Sequence, residues 1–90
     1  MTVEQEQPSI EISWTPSARS DLRRIDKTTA ISILRCLARY AKERSGDIKK
    51  LKPPLNGFRL RCGEYRLFFD HVGEETIVIL AVRHRKDAYR

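Results

Sequence analysis

Cysteine is scarce in this chain, with two in 90 residues, and no apolar run is long enough to cross a bilayer. Met1 to Trp14 holds no apolar stretch, so no secretion signal is expected, the cytoplasm is the default compartment and no membrane partner is implied. Cys36 falls in a helical pattern beside Leu34 and Leu37, and Cys62 falls on the apolar phase of a strand. Two buried thiols so placed make neither a secreted disulfide framework nor a metal-ligand spacing, and no cofactor is expected. No carboxylate cluster suited to Mg²⁺ is visible, which argues against a two-metal nuclease. Internal repeats and low-complexity segments are also missing.

Positive charge is what the chain has in surplus. The net charge is +6, and it is uneven. Met1 to Ile48 carries eight Lys/Arg against seven Asp/Glu, whereas Lys49 to Arg90 carries ten against five. A one-sided basic surface implies nucleic acid or an acidic protein partner. The length suits one small domain, expected over residues 9–90 after a flexible stretch at 1–8.

The basic half is organised around Phe58 to Arg66. Phe58, Leu60 and Cys62 alternate with Arg59 and Arg61, the period of a half-buried strand. Gly63-Glu64 provides a two-residue turn. Tyr65 to Phe69 then returns, which sets Cys62 against Tyr65, Arg61 against Arg66, Leu60 against Leu67 and Phe58 against Phe69. Arg59, Arg61 and Arg66 therefore share one face. Like charges set opposite each other destabilise a sheet, so this face calls for an anion or a partner's carboxylates, and guanidinium forks match phosphate oxygens. A single arginine here would be ordinary solvated charge; three on one face read as an anion site.

Upstream, Ile10, Ile12 and Trp14 alternate as a first strand. Thr15-Pro16 caps a helix carrying Ala18, Leu22 and Ile25, and Asp26 caps a second carrying Ala30, Ile33, Leu34, Leu37 and Ala41. Ser45-Gly46-Asp47 stops it. Arg35, Arg39, Lys42 and Arg44 on its outer side read as solvated charge. Lys49 to Pro54, including Lys52, reads as an extended basic connector. Gly73 to Glu75 turns the chain into a strand from Thr76 to Val82. If Val72 pairs with Glu75, Arg66 lies opposite Ala81 and Arg83 joins the arginine face on the diagonal; a loop one residue longer would send Arg83 to the core side. The fold class expected is α+β: a strand, a two-helix hairpin and a three-stranded antiparallel meander, forming one curved four-stranded sheet with helices on one face.

Trp14 to Leu22, Phe58 to Phe69 and the closing Val82-Arg83-His84-Arg85-Lys86-Asp87-Ala88-Tyr89-Arg90 resemble the RelE/ParE superfamily of toxin–antitoxin modules, closest to its RelE branch. The resemblance runs from Ile10 to Arg90 and implies the same order of elements. It implies an endoribonuclease that cleaves messenger RNA in the ribosomal A site, next to ribosomal RNA, and is held inactive by a cognate antitoxin. The toxin is expected to be monomeric when free and hetero-oligomeric with an acidic antitoxin over its arginine face. By position, Arg59 and Arg61 match basic residues that grip the RNA backbone, and Lys52, Arg85 and Lys86 extend that set. Arg66 matches an arginine at the scissile phosphate, Arg83 one near the leaving group, and Tyr89 a C-terminal catalytic tyrosine. His84 matches a histidine common among relatives. Lysines often stand in the family where this chain has Arg59 and Arg61, and the chain ends one residue after Tyr89. The ParE branch shares the fold but poisons DNA gyrase; a relative that binds RNA without cutting it is the other alternative.

Metal-free cleavage needs a base for the 2′-hydroxyl, positive charge around the phosphorane and an acid for the 5′-oxygen. Arginine stays protonated, so the base falls to His84, Tyr89 or a carboxylate. Histidine titrates nearest neutrality, whereas a tyrosine hydroxyl, ordinarily near pKa ~10, needs cations around it. Alternation through Val78, Leu80 and Val82 puts His84 on the core phase, where histidine is usually structural. His84 and Tyr89 both remain candidates.

Overall fold

A computed structural model of the chain describes residues 10–88, so the expected flexible stretch at 1–8 and Tyr89 lie outside the described residues. The elements are β1 (Glu11–Trp14), α1 (Pro16–Arg23), α2 (Lys27–Glu43), β2 (Asp47–Lys50), β3 (Phe58–Cys62), β4 (Tyr65–Val72) and β5 (Thr76–His84). The fold is α+β, as the pattern implies, but the sheet has five strands in the order β1-β5-β4-β3-β2 rather than four.

Local chemistry sets the helix starts. The Thr15 side chain accepts from the Ala18 N–H at 3.1 Å, and Pro16 occupies the first turn, where its missing N–H is no loss. The same hydroxyl donates to the Ile79 carbonyl at 3.1 Å, which ties the start of α1 to β5. Asp26 caps α2 by accepting from the Thr29 N–H at 3.1 Å. Hydrogen bonding from the Thr29 side chain, and then from its N–H, holds the Asp26 carboxyl below its ordinary range. Helix α2 ends where Arg44 turns left-handed, with φ of 57°, and its N–H returns to the Tyr40 carbonyl at 2.8 Å.

The β3–β4 hairpin has the register its two-residue turn dictates: Cys62 opposite Tyr65, Arg61 opposite Arg66, Leu60 opposite Leu67, Arg59 opposite Phe68 and Phe58 opposite Phe69. The next hairpin departs from expectation twice. Its loop is one residue longer, so Val72 pairs with Thr76. That alone would turn Arg83 toward the core. A bulge opposite Phe68/Phe69 then adds one more residue to β5, Leu80, and restores the parity. Arg83 thus returns to the arginine face and sits directly opposite Arg66 rather than on the diagonal.

The added strand, β2, lies in part of the stretch expected to be a connector. It pairs antiparallel with β3, placing Asp47 opposite Arg61 and Lys49 opposite Arg59. Its two exposed lysines, Lys49 and Lys50, suit the outer edge of a sheet. Pro53 and Pro54 come after the strand, where they remove no ladder hydrogen bond. At the other edge β1 runs parallel to β5. Gly57 is required where the loop re-enters: its φ is +97°, and a Cβ there would lie 2.7 Å from the Phe69 carbonyl oxygen.

The core lies between α2 and one face of the sheet. Ile33, Leu37, Tyr40 and Ala41 of α2 join Leu60, Leu67, Phe69, Ile77, Ile79 and Val82. The Tyr40 and Phe69 rings stand 5.7 Å apart. Leu34, expected in the apolar stripe of α2, is 41% exposed. The cysteines also depart from expectation: Cys36 of α2 and Cys62 of β3 form a disulfide, their Cα atoms 5.9 Å apart, and staple the helix to the sheet. No helix among the described residues is long and apolar enough to cross a membrane.

Candidate functional site

Three adjacent strands carry a row of guanidinium groups across the sheet face turned away from α2. Arg61 on β3 is opposite Arg66 on β4, and Arg66 is opposite Arg83 on β5. Arg59 shares the face, two residues from Arg61 along β3. Lys52 is exposed in the loop between β2 and β3, away from the row in sequence, and Arg85 and Lys86 are exposed just beyond β5.

The expected demand of this face for an external anion is met largely from within. Asp47 of β2 accepts from Arg59 at 3.1 Å and lies 3.8 Å from Arg61. Asp21 of α1 binds Arg83 and also accepts from the Val82 N–H at 3.0 Å, on the edge of β5 that β1 leaves uncovered. Arg85 pairs with Glu64 at 2.8 Å. The chain's own topology thus brings carboxylates to arginines that alternation alone leaves facing one another. Among the described residues, Asp47 and Asp21 engage Arg59, Arg61 and Arg83.

Arg66 is the exception. It is only 8% exposed, and its Nη1 donates to the carbonyls of Gly63 at 3.0 Å and Tyr65 at 3.1 Å. Its Nε–H is buried with no acceptor among the described residues. The positive charge at the centre of the row is therefore fixed by backbone rather than free in solvent, which is the preorganisation that stabilising a developing negative charge requires.

His84 follows Arg83 and points to the other face, on the core phase, half-buried and opposite Tyr65. The two rings meet edge to face, 5.2 Å between centroids. The Lys86 N–H donates to His84 Nδ1 at 3.1 Å. A nitrogen that accepts a hydrogen bond carries no proton, so the neutral ring holds its proton on Nε2. Nε2 is then a donor. The structure groups Arg59, Arg61, Arg66 and Arg83 on one face, puts His84 at the end of the same strand on the opposite face, and leaves Tyr89 outside the described residues.

The chain matches the family model described as ParE toxin of type II toxin–antitoxin system, parDE, over residues 12–89. The chain belongs to this toxin family. The RelBE2 toxin–antitoxin complex of Mycobacterium tuberculosis contains a chain 30% identical to the toxin, with a TM-score of 0.76, covering 87% of this chain and all of that one. A chain of the RelE–RelB complex of Pyrococcus horikoshii is 20% identical, with a TM-score of 0.71 over 90% of the toxin and 100% of the neighbour. The YoeB dimer of Staphylococcus aureus is 24% identical, with a TM-score of 0.66 over 86% and 98%. The last two show likeness of fold. No curated protein matches the sequence significantly. The toxin is therefore a type II toxin of the RelE/ParE superfamily, as the hairpin and the closing residues imply.

Sequence reasoning missed several features of the toxin. Asp21 and Asp47 gave no local signal, because they reach their arginines only through the folded topology. A cleft of about 810 Å³ between α2 and the β3–β4 turn was also missed. Arg35 and Arg39 of α2 stand on one wall, Arg61, Tyr65 and His84 on the other, with the disulfide between them. A smaller space of about 460 Å³ between α1 and the end of β5 brings Asp21, Arg24 and Arg83 to the other side of His84. No group of three or more His, Cys, Asp or Glu among the described residues could hold a metal ion.

Proposed function

We propose that this toxin is a metal-independent endoribonuclease that cuts messenger RNA on the ribosome and is neutralised by a cognate antitoxin. The Arg61–Arg66–Arg83 row, with a buried guanidinium at its centre, is the observation that carries this reading. The M. tuberculosis neighbour was solved as a toxin–antitoxin complex, which supports an antitoxin partner here.

In this reaction the 2′-oxygen attacks the adjacent phosphorus, its proton passes to a base and the P–O5′ bond breaks. The products are a 2′,3′-cyclic phosphate and a 5′-hydroxyl. Arg66 holds the non-bridging oxygens, where charge accumulates in the phosphorane, and Arg83 stabilises the departing 5′-oxygen, which takes its proton from water. Arg59 and Arg61 position the strand. His84 Nδ1 already accepts from the Lys86 N–H, and the ring lies on the face opposite the arginine row, which favours Tyr89, five residues further along the chain, as the base. The ribosome supplies the RNA conformation, so cleavage of free RNA is slow.

The family match favours a second reading, inhibition of DNA gyrase in the manner of the ParE branch. Adding purified toxin to a translation reaction and to a gyrase supercoiling assay separates them. The nuclease reading expects cut message and undisturbed supercoiling; intact message with lost supercoiling would replace it.

A further inference from the structure

Apart from Arg61, which also stands in the row, the cleft between α2 and the β3–β4 turn has no part in the chemistry above. We infer that it binds a flanking segment of single-stranded RNA, gripping its phosphates from α2 and stacking a base against the Tyr65–His84 wall. This rests on the RNA-directed reading of the toxin but concerns a separate surface.

Its charge comes from two directions. On α2, Thr28, Ser32, Arg35 and Arg39 recur at helical spacing and form one stripe along the cleft. Neither Arg35 nor Arg39 has a carboxylate partner among the described residues. The opposite wall adds Arg61, whose side chain is 54% exposed. Among the described residues, Glu64 is the one carboxylate lining the cleft, and Arg85 pairs with it at 2.8 Å. The cleft is thus positive, with hydroxyl groups along one side that donate to phosphate oxygens.

Rings set this wall apart from a simple anion site. Tyr65 and His84 are half-buried, and their edge-to-face contact fixes both planes. Guanidinium groups along a groove with aromatic rings in its wall form the arrangement that holds single strands without reading sequence. An acidic peptide would use the arginines but leave the rings without a partner, so RNA fits more of the surface. The volume, about 810 Å³, is at the large end for a small-ligand site, ~300–1,000 Å³, and open enough for a strand to leave. Arg61 belongs both to this cleft and to the row on the outer face. A strand held at the row can therefore pass the hairpin end and enter the cleft without leaving positive potential.

The test measures binding apart from cleavage. Fluorescence anisotropy with a labelled oligodeoxyribonucleotide, which lacks the attacking 2′-hydroxyl, and with a 2′-O-methyl RNA is read across a salt series. For Arg35→Ala/Arg39→Ala, the log–log salt slope of 2′-O-methyl RNA binding should become shallower by about 1.4, with affinity down about tenfold or more at low salt. An abasic oligonucleotide should bind the unaltered toxin more weakly than its base-bearing counterpart. Circular dichroism of the double variant checks that α2 remains folded, and Lys42→Ala, on α2 outside the cleft, serves as the control for loss of charge alone. Unchanged affinity and slope in the double variant would overturn the inference, as would equal loss in Lys42→Ala. Polyglutamate binding with the same Arg35/Arg39 dependence, and no base effect, would reassign the cleft to an acidic protein. If the message stays intact on ribosomes while the cleft variant still loses RNA binding, the nuclease reading fails and the cleft remains; cleavage without any cleft effect gives the reverse.

Discussion

Reducing the Cys36–Cys62 disulfide should destabilise the toxin by about 3.5 kcal/mol at 25 °C. The bond joins residues 26 apart in sequence, and the loop it closes loses chain entropy in the unfolded state, by about 12 cal/mol/K for a loop of that size. A domain of this length has a total stability of roughly 5–13 kcal/mol, so the bond represents a quarter or more of it. Taking a urea m-value near the low end for small domains, about 1–1.5 kcal/mol/M, the unfolding midpoint should fall by about 2–3.5 M on reduction. The melting temperature should fall by about 14–28 °C. The assay is urea unfolding followed by far-ultraviolet circular dichroism, with and without dithiothreitol, alongside a free-thiol titration of the native protein. The side chains stay in place in both arms, so the comparison isolates the cross-link. Coincident curves, with both thiols free before reduction, would refute the staple between α2 and β3. Coincident curves with no free thiol would instead show that the unfolded chain gains no freedom when the bond is cut.

Other consequences follow from the hydrogen bonds and ion pairs. Asp26 caps α2 with its carboxyl held below the ordinary range, so the cap contributes stability above the unfolded pKa of 3.8 and loses it as the pH falls through the lower folded value. Asp26→Asn, which keeps a capping acceptor, should flatten that part of the pH dependence of the urea midpoint; an unchanged acid limb would assign it elsewhere. Asp21→Asn keeps an acceptor for Val82 but leaves Arg83 without a counter-charge. RNA affinity should rise, with a salt slope steeper by about 0.7, and weaker binding would mean that Asp21 chiefly holds Arg83 in position. Thr15→Ala removes the α1 cap and the hydroxyl bond to the Ile79 carbonyl, though not the backbone one, and should cost about 1 kcal/mol in chemical denaturation.

The parts of the fold legible in the sequence are those that short-range rules control. Gly63-Glu64 permits one turn geometry, and with it the whole β3–β4 register follows. Thr15-Pro16 and Asp26 mark helix starts whatever packs on them. Strand β2 was hidden because Asp47 to Lys50 has one apolar residue, Ile48, and runs into prolines. Its pairing comes from β3 rather than from its own pattern. The longer second loop and the Leu80 bulge each shift β5 by one residue, and their shifts cancel for Arg83 and His84. The expected face of both residues was therefore right, although the register that led to it was not. The arginine face was legible as a pattern of charge, but its carboxylate partners were not: Asp47 reaches Arg59 from 12 residues away, and Asp21 reaches Arg83 from 62. In the sequence Arg35 and Arg39 read as solvated charge on α2, since only the hairpin folded against them gives them an opposite wall.

The most direct measurement compares end-mapped RNA products from translating ribosomes treated with the toxin and with its Arg66→Ala variant. The account predicts breaks in A-site codons ending in 2′,3′-cyclic phosphate and 5′-hydroxyl, formed far faster than on free RNA and at least a hundredfold more slowly by the variant, as for loss of one oxyanion-type donor, about 10²–10³. Message that stays unbroken on translating ribosomes with the unaltered toxin, or breaks formed equally well without Arg66, would contradict it.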